Sequence, residues 1–345
     1  MNLLIVGPTW VGDTVLATPV LANLRAAFPA ARIYYLATAW AAGILRGHPD
    51  VDELRLRPGG AAGDFRAALG LRRERLEWAF VLPNSIRGAL LAVAAGARRR
   101  TGFDRDGRAF LLTESVRYQK EPERHQIDEY LALLEAAGVS VSCRTPRISV
   151  SPEADTFAEE VFHKAGIGPD EPVVGIQPGA KFGATKLWPA GRFAAVGDRL
   201  AESEGARVLL LGSRDEAPLT AQISSLMKAD SADLAGQDNL SLLPGLLRRL
   251  TVLLTGDTGP MHIAAAVGTP VVALFGPTDP RHTGPVGENH RVLRRDLFCS
   301  PCFLKKCPYG HECMEEMAVD EVFEAVRERL RVPVPGRPDA GSSHG

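Results

Sequence analysis

Residues 255–263 combine an acid, hydroxyls, glycines and a histidine in one turn, with the sequence Thr-Gly-Asp-Thr-Gly-Pro-Met-His-Ile. The apolar run before the turn, at 250–254, is typical of a strand, and the run after it, at 263–267, is typical of a helix. A helix that begins at such a turn points its free N–H groups and the positive end of its dipole toward the turn. The segment therefore predicts a phosphate-binding site.

The side chains of this turn have two interpretations. Asp257 and His262 could hydrogen-bond sugar hydroxyls or stabilise a leaving group, beside Thr258 and with Gly256 and Gly259 admitting a ligand close to the backbone. Alternatively, Asp257 is only the N-cap of the helix and His262 is a buried helix residue.

A second candidate acid follows the first strand, in the segment Gly-Pro-Thr-Trp-Val-Gly-Asp-Thr at 7–14. The segment is neither Gly-x-Gly-x-x-Gly nor a Walker loop, so it does not support a dinucleotide site. Asp13 precedes a helix at the end of this strand, which makes it a candidate general base for a hydroxyl nucleophile. A helix N-cap is the structural alternative.

The loop at 177–189 is rich in glycine and basic, with the sequence Gln-Pro-Gly-Ala-Lys-Phe-Gly-Ala-Thr-Lys-Leu-Trp-Pro. Lys181 and Lys186 are spaced to meet an anionic ligand, although two surface lysines on an exposed loop would give the same pattern. Glu216 follows the next predicted strand, at 208–211. An acid at that place can hold ribose hydroxyls or simply favour a helix N-terminus.

Four of the five cysteines cluster near the end of the chain, at Cys299, Cys302, Cys307 and Cys313. Four thiols this close together can enclose a structural Zn²⁺, although the spacing is not that of a standard paired finger. Ordinary thiols in a compact loop, or a disulfide or redox pair, are the alternatives.

Short apolar runs alternate with runs of helical periodicity along the whole chain, which predicts a mostly parallel sheet with helices on both faces. The first strand is expected at Leu3–Val6 and the first helix at Val15–Phe28. The pattern starts again with a strand at Val173–Gln177, after a polar segment at Arg144–Glu153 that we interpret as a hinge.

We therefore predict an α/β protein with two Rossmann-like domains, at 1–150 and 151–331, that face each other across a cleft where the strands end. The last helix, at Val319–Leu330, could cross back to the first domain. The tail at 332–345 is rich in Pro, Gly and Ser, which predicts disorder.

Composition excludes several classes of protein. The 345 residues carry 40 basic and 41 acidic side chains, a net charge of −1, which argues against nucleic-acid binding. The N-terminus lacks the basic region of a signal peptide, and no apolar run approaches the roughly 18–20 residues of a membrane span. We therefore expect a cytoplasmic protein. The arginine runs at 72–75 and 98–100 are either solvated faces or contacts to acidic lipid head groups.

Several motifs resemble, in this order, those of one enzyme family. They are Pro-Thr-Trp-Val-Gly-Asp at 8–13, Leu-Pro-Asn-Ser at 82–85, Pro-Gly-Ala at 178–180 with Lys-Leu-Trp-Pro at 186–189, and Asp-Thr-Gly-Pro-Met-His at 257–262. Over about residues 1–331 the chain resembles the ADP-heptose:lipopolysaccharide heptosyltransferases of glycosyltransferase family 9. The first two motifs favour heptosyltransferase II within that family.

The resemblance implies a GT-B fold and an inverting glycosyltransferase that needs no metal for catalysis. It assigns the catalytic base to Asp13 and the donor diphosphate contact to Lys186. Asp257, Thr258, Gly259 and His262 would hold the pyrophosphate and the heptose, and Gly179 and Glu216 would complete the donor site.

The resemblance also implies the partners. The donor would be ADP-heptose, and the acceptor would be heptosyl-Kdo2-lipid A, contacted by Asn84 and Ser85. The enzyme would then lie at the inner face of the cytoplasmic membrane as a peripheral protein. Two rivals remain, namely another GT-B enzyme such as a sugar-nucleotide epimerase, and a non-catalytic binding protein whose fold depends on a metal.

Overall fold

The computed structural model describes residues 1–119, 121, 123–181, 183–237 and 239–332. The chain divides into two compact units, Met1–Ser149 and a second unit from Val150 onward. Each unit is built around its own sheet.

In its described residues the first unit has a six-stranded parallel sheet in the order β3-β2-β1-β4-β5-β6. Its strands are β1 (Asn2–Val6), β2 (Arg32–Thr38), β3 (Glu53–Arg57), β4 (Trp78–Val81), β5 (Arg99–Phe103) and β6 (Glu114–Val116). Its helices are α1 (Val11–Leu16), α2 (Thr18–Ala27), α3 (Ala39–Leu45), α4 (Ala61–Gly70), α5 (Ile86–Ala94) and α6 (Gln126–Ala136).

The described part of the second unit also has a six-stranded parallel sheet, in the order β12-β11-β10-β7-β8-β9. Its strands are β7 (Val173–Gln177), β8 (Arg207–Leu210), β9 (Ser231–Asp233), β10 (Val252–Gly256), β11 (Val271–Phe275) and β12 (Arg291–Arg294). Its helices are α7 (Pro152–Lys164), α8 (Ala190–Glu204), α9 (Ala217–Leu226), α10 (Leu243–Arg249), α11 (Gly259–Ala266), α12 (Pro280–Thr283), α13 (Glu312–Glu315) and α14 (Val319–Leu330).

The two sheets have the same topology, because numbering the strands within each unit gives the spatial order 3-2-1-4-5-6 in both. This is the Rossmann order, in which ligands bind beyond the carboxyl ends of the central strands. The central strands β1, β4, β7 and β10 are apolar and almost wholly buried, as helices on both faces require. The predicted α/β class with two Rossmann-like units is confirmed.

Local structure departs from the sequence pattern in the first helix. The single helix expected at Val15–Phe28 is two helices that meet at Ala17. Pro19 is the reason, because it has no N–H to continue a helix and is accepted only in a first turn, here that of α2.

The last helix, α14, packs within the second unit, where Val322, Phe323 and Val326 join the core beneath the sheet. None of the described helices is long and apolar enough to span a membrane. The disorder expected for the tail concerns residues that, from 333 onward, lie outside the described part of the chain.

Candidate active site

The loops that follow β7, β8 and β10 carry the predicted donor-binding residues. These three strands are neighbours in the second sheet and run parallel, so their loops emerge side by side at its carboxyl edge. The fold thus brings together segments that are up to about 80 residues apart in sequence, as the hydrogen bond from Thr258 to Gln177 shows.

Lys186 and Asp257 form an ion pair at this edge. The Lys186 Nζ donates to the Asp257 carboxylate at 2.5 Å and to its backbone carbonyl at 3.0 Å. Both side chains are about nine-tenths buried, 10% and 9% exposed. A nearly buried ammonium group beside a helix start is suited to a diphosphate, which can take over the place of the carboxylate.

The start of α11 is left without a side-chain cap. Its N-cap residue is Thr258, whose hydroxyl does not bond to the helix but donates to the Gln177 Oε1 at 3.1 Å. Thr255 donates to the same oxygen at 3.0 Å. Because the Thr258 hydroxyl bonds to Gln177, it does not cap the N–H groups in the first turn of α11. An anion bound at this turn could accept hydrogen bonds there.

The sequence left two structural alternatives for the turn at 255–263, Asp257 as the helix N-cap and His262 as a buried helix residue, and the structure agrees only with the second. Asp257 is not the N-cap, since that position belongs to Thr258 and the aspartate pairs with Lys186. His262 is a buried helix residue, 6% exposed, in the first turn of α11. Gly259 is the first residue of that helix.

Glu216 lies against the backbone of Gly179. A Cβ atom added at Gly179 would lie 2.0 Å from the Glu216 carboxylate, so a side chain there would displace that carboxylate. The same carboxylate accepts hydrogen bonds from the Ser213 N–H at 2.8 Å and hydroxyl at 2.9 Å in a capping box. Lys181 pairs with Asp215 at 2.9 Å in an exposed ion pair, away from the buried pair of Lys186.

The turn that carries Lys186 is braced from two sides. Trp188 is buried, packs edge to face on Phe193, and donates its indole N–H to the Met317 carbonyl at 3.1 Å. On the other side, Thr185 donates its hydroxyl to the Leu304 carbonyl at 2.8 Å. The ring of His311 bonds to the Thr185 carbonyl at 2.7 Å. Trp188 therefore holds this turn in position, and the loop that carries the cysteines packs against it. We call Ala184–Lys186 the lysine turn.

The four clustered cysteines are free thiols in that loop. Burial raises the pKa of the Cys313 thiol to about 11, with the neighbouring Cys307, Cys302 and Cys299 adding to the effect. In the described part of the chain, no group of three or more His, Cys, Asp or Glu side chains is arranged to hold a metal ion. The geometry does not form a ligand set, and the structural zinc stays a prediction.

Asp13 lies in the first unit, at the third position of α1 rather than at its N-cap, which is Trp10. Two buried phenols are its neighbours. Burial and the Asp13 carboxylate both raise the pKa of Tyr130, and they raise that of Tyr35 against the opposing effect of Arg57. Both phenols stay protonated, so neither of them can take a proton from a substrate.

Asn84 and Ser85, the predicted acceptor-binding residues, have structural partners. The Ser85 hydroxyl is the N-cap of α5 and accepts the Gly88 N–H at 3.1 Å. The Asn84 Oδ1 accepts from Arg108 at 3.0 Å. The residues predicted from sequence are thus in place at the carboxyl edge of the first sheet, but both are already engaged.

Arg108 is a residue that sequence reasoning missed. It is fully buried, and its guanidinium donates to the carbonyls of Pro83 and Phe103 as well as to Asn84. Burial lowers its pKa from 12.5 to about 10, although Asp106 and Asp104 oppose this. No motif marks this arginine, and the signal available was only its place after a strand.

Comparisons with known proteins agree with this arrangement. Residues 65–312 match the model of glycosyltransferase family 9 (heptosyltransferase). The chain is 32% identical to lipopolysaccharide heptosyltransferase 2 of Escherichia coli K12 over 310 residues, which cover 85% of this chain and 88% of the relative. It is 32% identical to lipooligosaccharide heptosyltransferase 2 of Haemophilus influenzae over 309 residues, with the same coverage.

Solved structures show the same architecture. The ADP-heptose lipopolysaccharide heptosyltransferase II of E. coli superposes with a TM-score of 0.83 at 29% identity, covering 96% of this chain and 98% of that one. A family 9 glycosyltransferase of Veillonella parvula superposes with a TM-score of 0.88 at 25% identity, covering 95% and 97%. The two Rossmann-like units are thus those of a GT-B enzyme, and the chain belongs to glycosyltransferase family 9, the heptosyltransferases.

Proposed function

We propose that this chain is a heptosyltransferase II, which moves heptose from ADP-L-glycero-D-manno-heptose to the heptosylated inner core of lipopolysaccharide. The observation that carries the proposal is the buried Lys186–Asp257 pair beside the uncapped start of α11. The relatives named heptosyltransferase 2 supply the substrate class.

Departure of ADP is the step that the second unit is built to assist. When the bond between the anomeric carbon and the diphosphate oxygen breaks, the electron pair leaves with ADP and negative charge grows on the phosphates. Lys186, His262 and the N–H groups at the start of α11 can stabilise that charge, which is catalysis by fixed dipoles and cations.

Attack by the acceptor is the step that we assign to Asp13. Its carboxylate takes the proton of the acceptor hydroxyl as that oxygen forms a bond to the anomeric carbon. Attack from the face opposite the departing diphosphate inverts the anomeric centre. The reaction balances without a redox partner, since it yields the glycoside, ADP and one proton.

We also propose that the enzyme works in the cytoplasm, at the inner surface of the cytoplasmic membrane. The support is chemical, because the proposed acceptor, heptosyl-Kdo2-lipid A, is anchored by acyl chains. Asn84 and Ser85 each accept one hydrogen bond in the structure, so their amide N–H groups and hydroxyl hydrogen are the donors that they could offer an acceptor sugar.

A transfer assay tests the function. Purified protein is incubated with ADP-heptose and heptosyl-Kdo2-lipid A, and the lipid is examined by mass spectrometry, with the configuration of the new linkage read by NMR. We expect the acceptor to gain one heptose. Conversion of the nucleotide sugar without an acceptor would identify an epimerase instead, and binding without any turnover would identify a non-catalytic protein.

The structural zinc has its own test. If the four cysteines hold zinc, protein purified without oxygen should contain about one zinc per chain, and a chelator should lower the melting temperature more than the activity of protein that stays folded. A closed four-thiolate site has no open position for substrate, which is why activity should follow folding only. Zinc-free protein with four thiols that all react with an alkylating agent would return the cysteines to ordinary packing residues.

A further inference from the structure

Helices α4 and α5 show an inverted pattern of burial in the first unit. Both cover one face of the sheet, but the residues they press into the core are small, such as Ala68, Ala89 and Ala92, which are fully buried. Leu91 of α5 is buried as well, but most of the large apolar side chains of the two helices are exposed. They are Phe65, Leu69, Ile86 and Leu90, with exposed fractions between 39% and 45%. A surface helix of an isolated domain normally has the opposite arrangement.

These four side chains form a two-helix surface. Phe65 and Leu69 lie four residues apart on α4, as Ile86 and Leu90 do on α5, so each pair shares one side of its helix. The ion pair between Arg87 and Asp64, 2.7 Å long, holds the first turns of the helices together. Phe110, 78% exposed, extends the surface from a short turn that packs against α5. We call this surface the α4–α5 face.

The exposed charges around the α4–α5 face are mostly basic. Between residues 58 and 98 the exposed basic side chains are Arg66, Arg72, Arg73, Arg75, Arg87 and Arg98. The acids in the same segment number three. Asp64 is buried, Glu74 is partly buried and pairs with Arg55 and Arg73, and Glu77 is exposed. An apolar surface with such a rim is the composition of an interfacial, membrane-binding face.

We propose that the α4–α5 face docks the enzyme on an anionic lipid bilayer, with its apolar side chains among the acyl chains and its arginines on the head-group phosphates. The inference rests on the proposed function, because a lipid-anchored acceptor requires the enzyme to work at such a surface. A second copy of the chain is disfavoured as occupant, since a symmetric dimer through this face would bring the two sets of arginines together.

Vesicle binding tests the proposal without any turnover. The protein is sedimented with vesicles of phosphatidylglycerol and phosphatidylethanolamine, and in parallel with neutral phosphatidylcholine vesicles. We expect binding to the anionic vesicles that weakens at high salt. Replacement of Phe65, Leu69 and Leu90 together by alanine should weaken binding about tenfold or more, an effect equal to about two buried methylene groups.

Two further variants separate the contribution of charge from that of the apolar side chains. Arg66→Gln with Arg73→Gln and Arg98→Gln neutralises half of the exposed arginines and should lower binding to anionic vesicles by about fivefold per arginine, with a clearly weaker salt dependence. Phe298→Ala with Leu226→Ala removes exposed apolar side chains, 88% and 50% exposed, from the second unit and should leave binding unchanged. Equal losses in this control, or wild-type binding by the alanine triple, would overturn the proposal.

Kinetics and oligomeric state complete the test. Transfer to acceptor embedded in anionic vesicles should fall in the alanine triple, while transfer to a deacylated acceptor should stay as in the wild type. A loss with both acceptors would mean that the face binds sugar. A dimer in solution that the triple converts to a monomer would mean that a second copy covers the face, and either result would overturn the proposal. If no acceptor is ever glycosylated, vesicle binding still decides the docking question, so the two failures are distinguishable.

Discussion

The turn after the fourth strand of each sheet occupies the same topological place, yet the two turns are built differently. In the first unit this turn joins β4 to α5, and Ser85 caps the helix with its hydroxyl. In the second unit it joins β10 to α11, and Thr258 gives its hydroxyl to Gln177 instead of the helix. One helix start is closed by its own side chain, and the other is open.

A buried cation contacts each turn, Arg108 in the first unit and Lys186 in the second. The hydrogen-bond acceptors of these two cations differ in kind. Arg108 donates to backbone carbonyls and an amide oxygen, partners that no ligand can replace without breaking the loop. Lys186 donates to the carboxylate of Asp257, which a diphosphate can replace. One topology therefore yields a turn held by backbone contacts in one unit and, as we propose, an anion site in the other, depending on what the buried cation contacts.

The largest expected effect comes from the acid that the first unit contributes. Asp13→Asn should lower transfer by about 10²–10⁴-fold, because the amide cannot take a proton, while ADP binding stays unchanged. Steady-state transfer and calorimetry with ADP measure the two effects. Near wild-type transfer by a folded Asp13→Asn protein would remove Asp13 from the mechanism and leave the first unit without a base.

Arg108→Met should act on stability rather than on the donor. We expect the free energy of unfolding to fall by about 2–4 kcal/mol, because at least two buried carbonyl oxygens lose their donor at about 1–2 kcal/mol each. Urea denaturation measures this, and Arg105→Met, at an exposed arginine of the same loop, is the control. An unchanged midpoint for Arg108→Met would show that the first turn holds its shape without the buried cation.

Lys186→Ala should act on donor binding rather than on stability. We expect ADP binding to weaken by roughly 10–150-fold, because one charge-assisted hydrogen bond contributes about 1.5–3 kcal/mol. Calorimetry gives the affinity. Lys181→Ala is the matched control, because this lysine lies in the same loop but pairs with the exposed Asp215. Equal losses for the two lysines would mean that general positive charge, not the buried pair, binds the diphosphate.

The smallest expected effect is one that the two units share. His48 in the first unit is buried and His290 in the second is half-buried, and desolvation lowers the pKa of each below the ordinary 6.5. Above about pH 6.5 both are neutral whether the chain is folded or not. As the pH falls below that value the unfolded chain binds protons that the folded chain does not, so stability is lost, by up to about 1.4 kcal/mol per histidine and pH unit.

Separate variants assign this loss to each unit. His48→Gln and His290→Gln should each flatten the dependence of the unfolding midpoint on pH between about 6.5 and 5. If both variants change the same single transition, the units unfold together. A pH dependence that survives both substitutions would contradict the assignment to these histidines.

The central strands were predictable because their signals are local. Buried parallel strands such as β1 and β7 appear as continuous apolar runs, and their turns follow directly. The short edge strands β6 and β9 were missed, because Glu-Ser-Val and Ser-Ala-Asp have no apolar pattern of their own. Pairing with a neighbouring strand, not local composition, makes them strands.

Helix α7 shows a signal that was present but not used. The segment at 144–153 was interpreted as a hinge, and the boundary between the two units lies within it, but the start of α7 at its end, where Ser151 caps the helix and Pro152 opens it, was not recognised. Arg108 differs, since its burial depends on residues more than twenty positions away in the loop at 83–85. Contacts of that kind cannot be found from residue spacing.

The brace on the lysine turn has a consequence for the order of folding. Thr185 forms hydrogen bonds with Leu304 and His311, and Trp188 forms one with Met317. The partners in these hydrogen bonds are 119 to 129 residues apart in sequence. Such long-range contacts close late, because the loop entropy must be overcome first. On a ribosome, β7 to β11 can therefore assemble well before the lysine turn reaches its final shape. The proposed donor site would then be complete only when the chain has been synthesised as far as Met317, and a chain that ends before Leu304 would have the second sheet without the contacts that hold Lys186 in position.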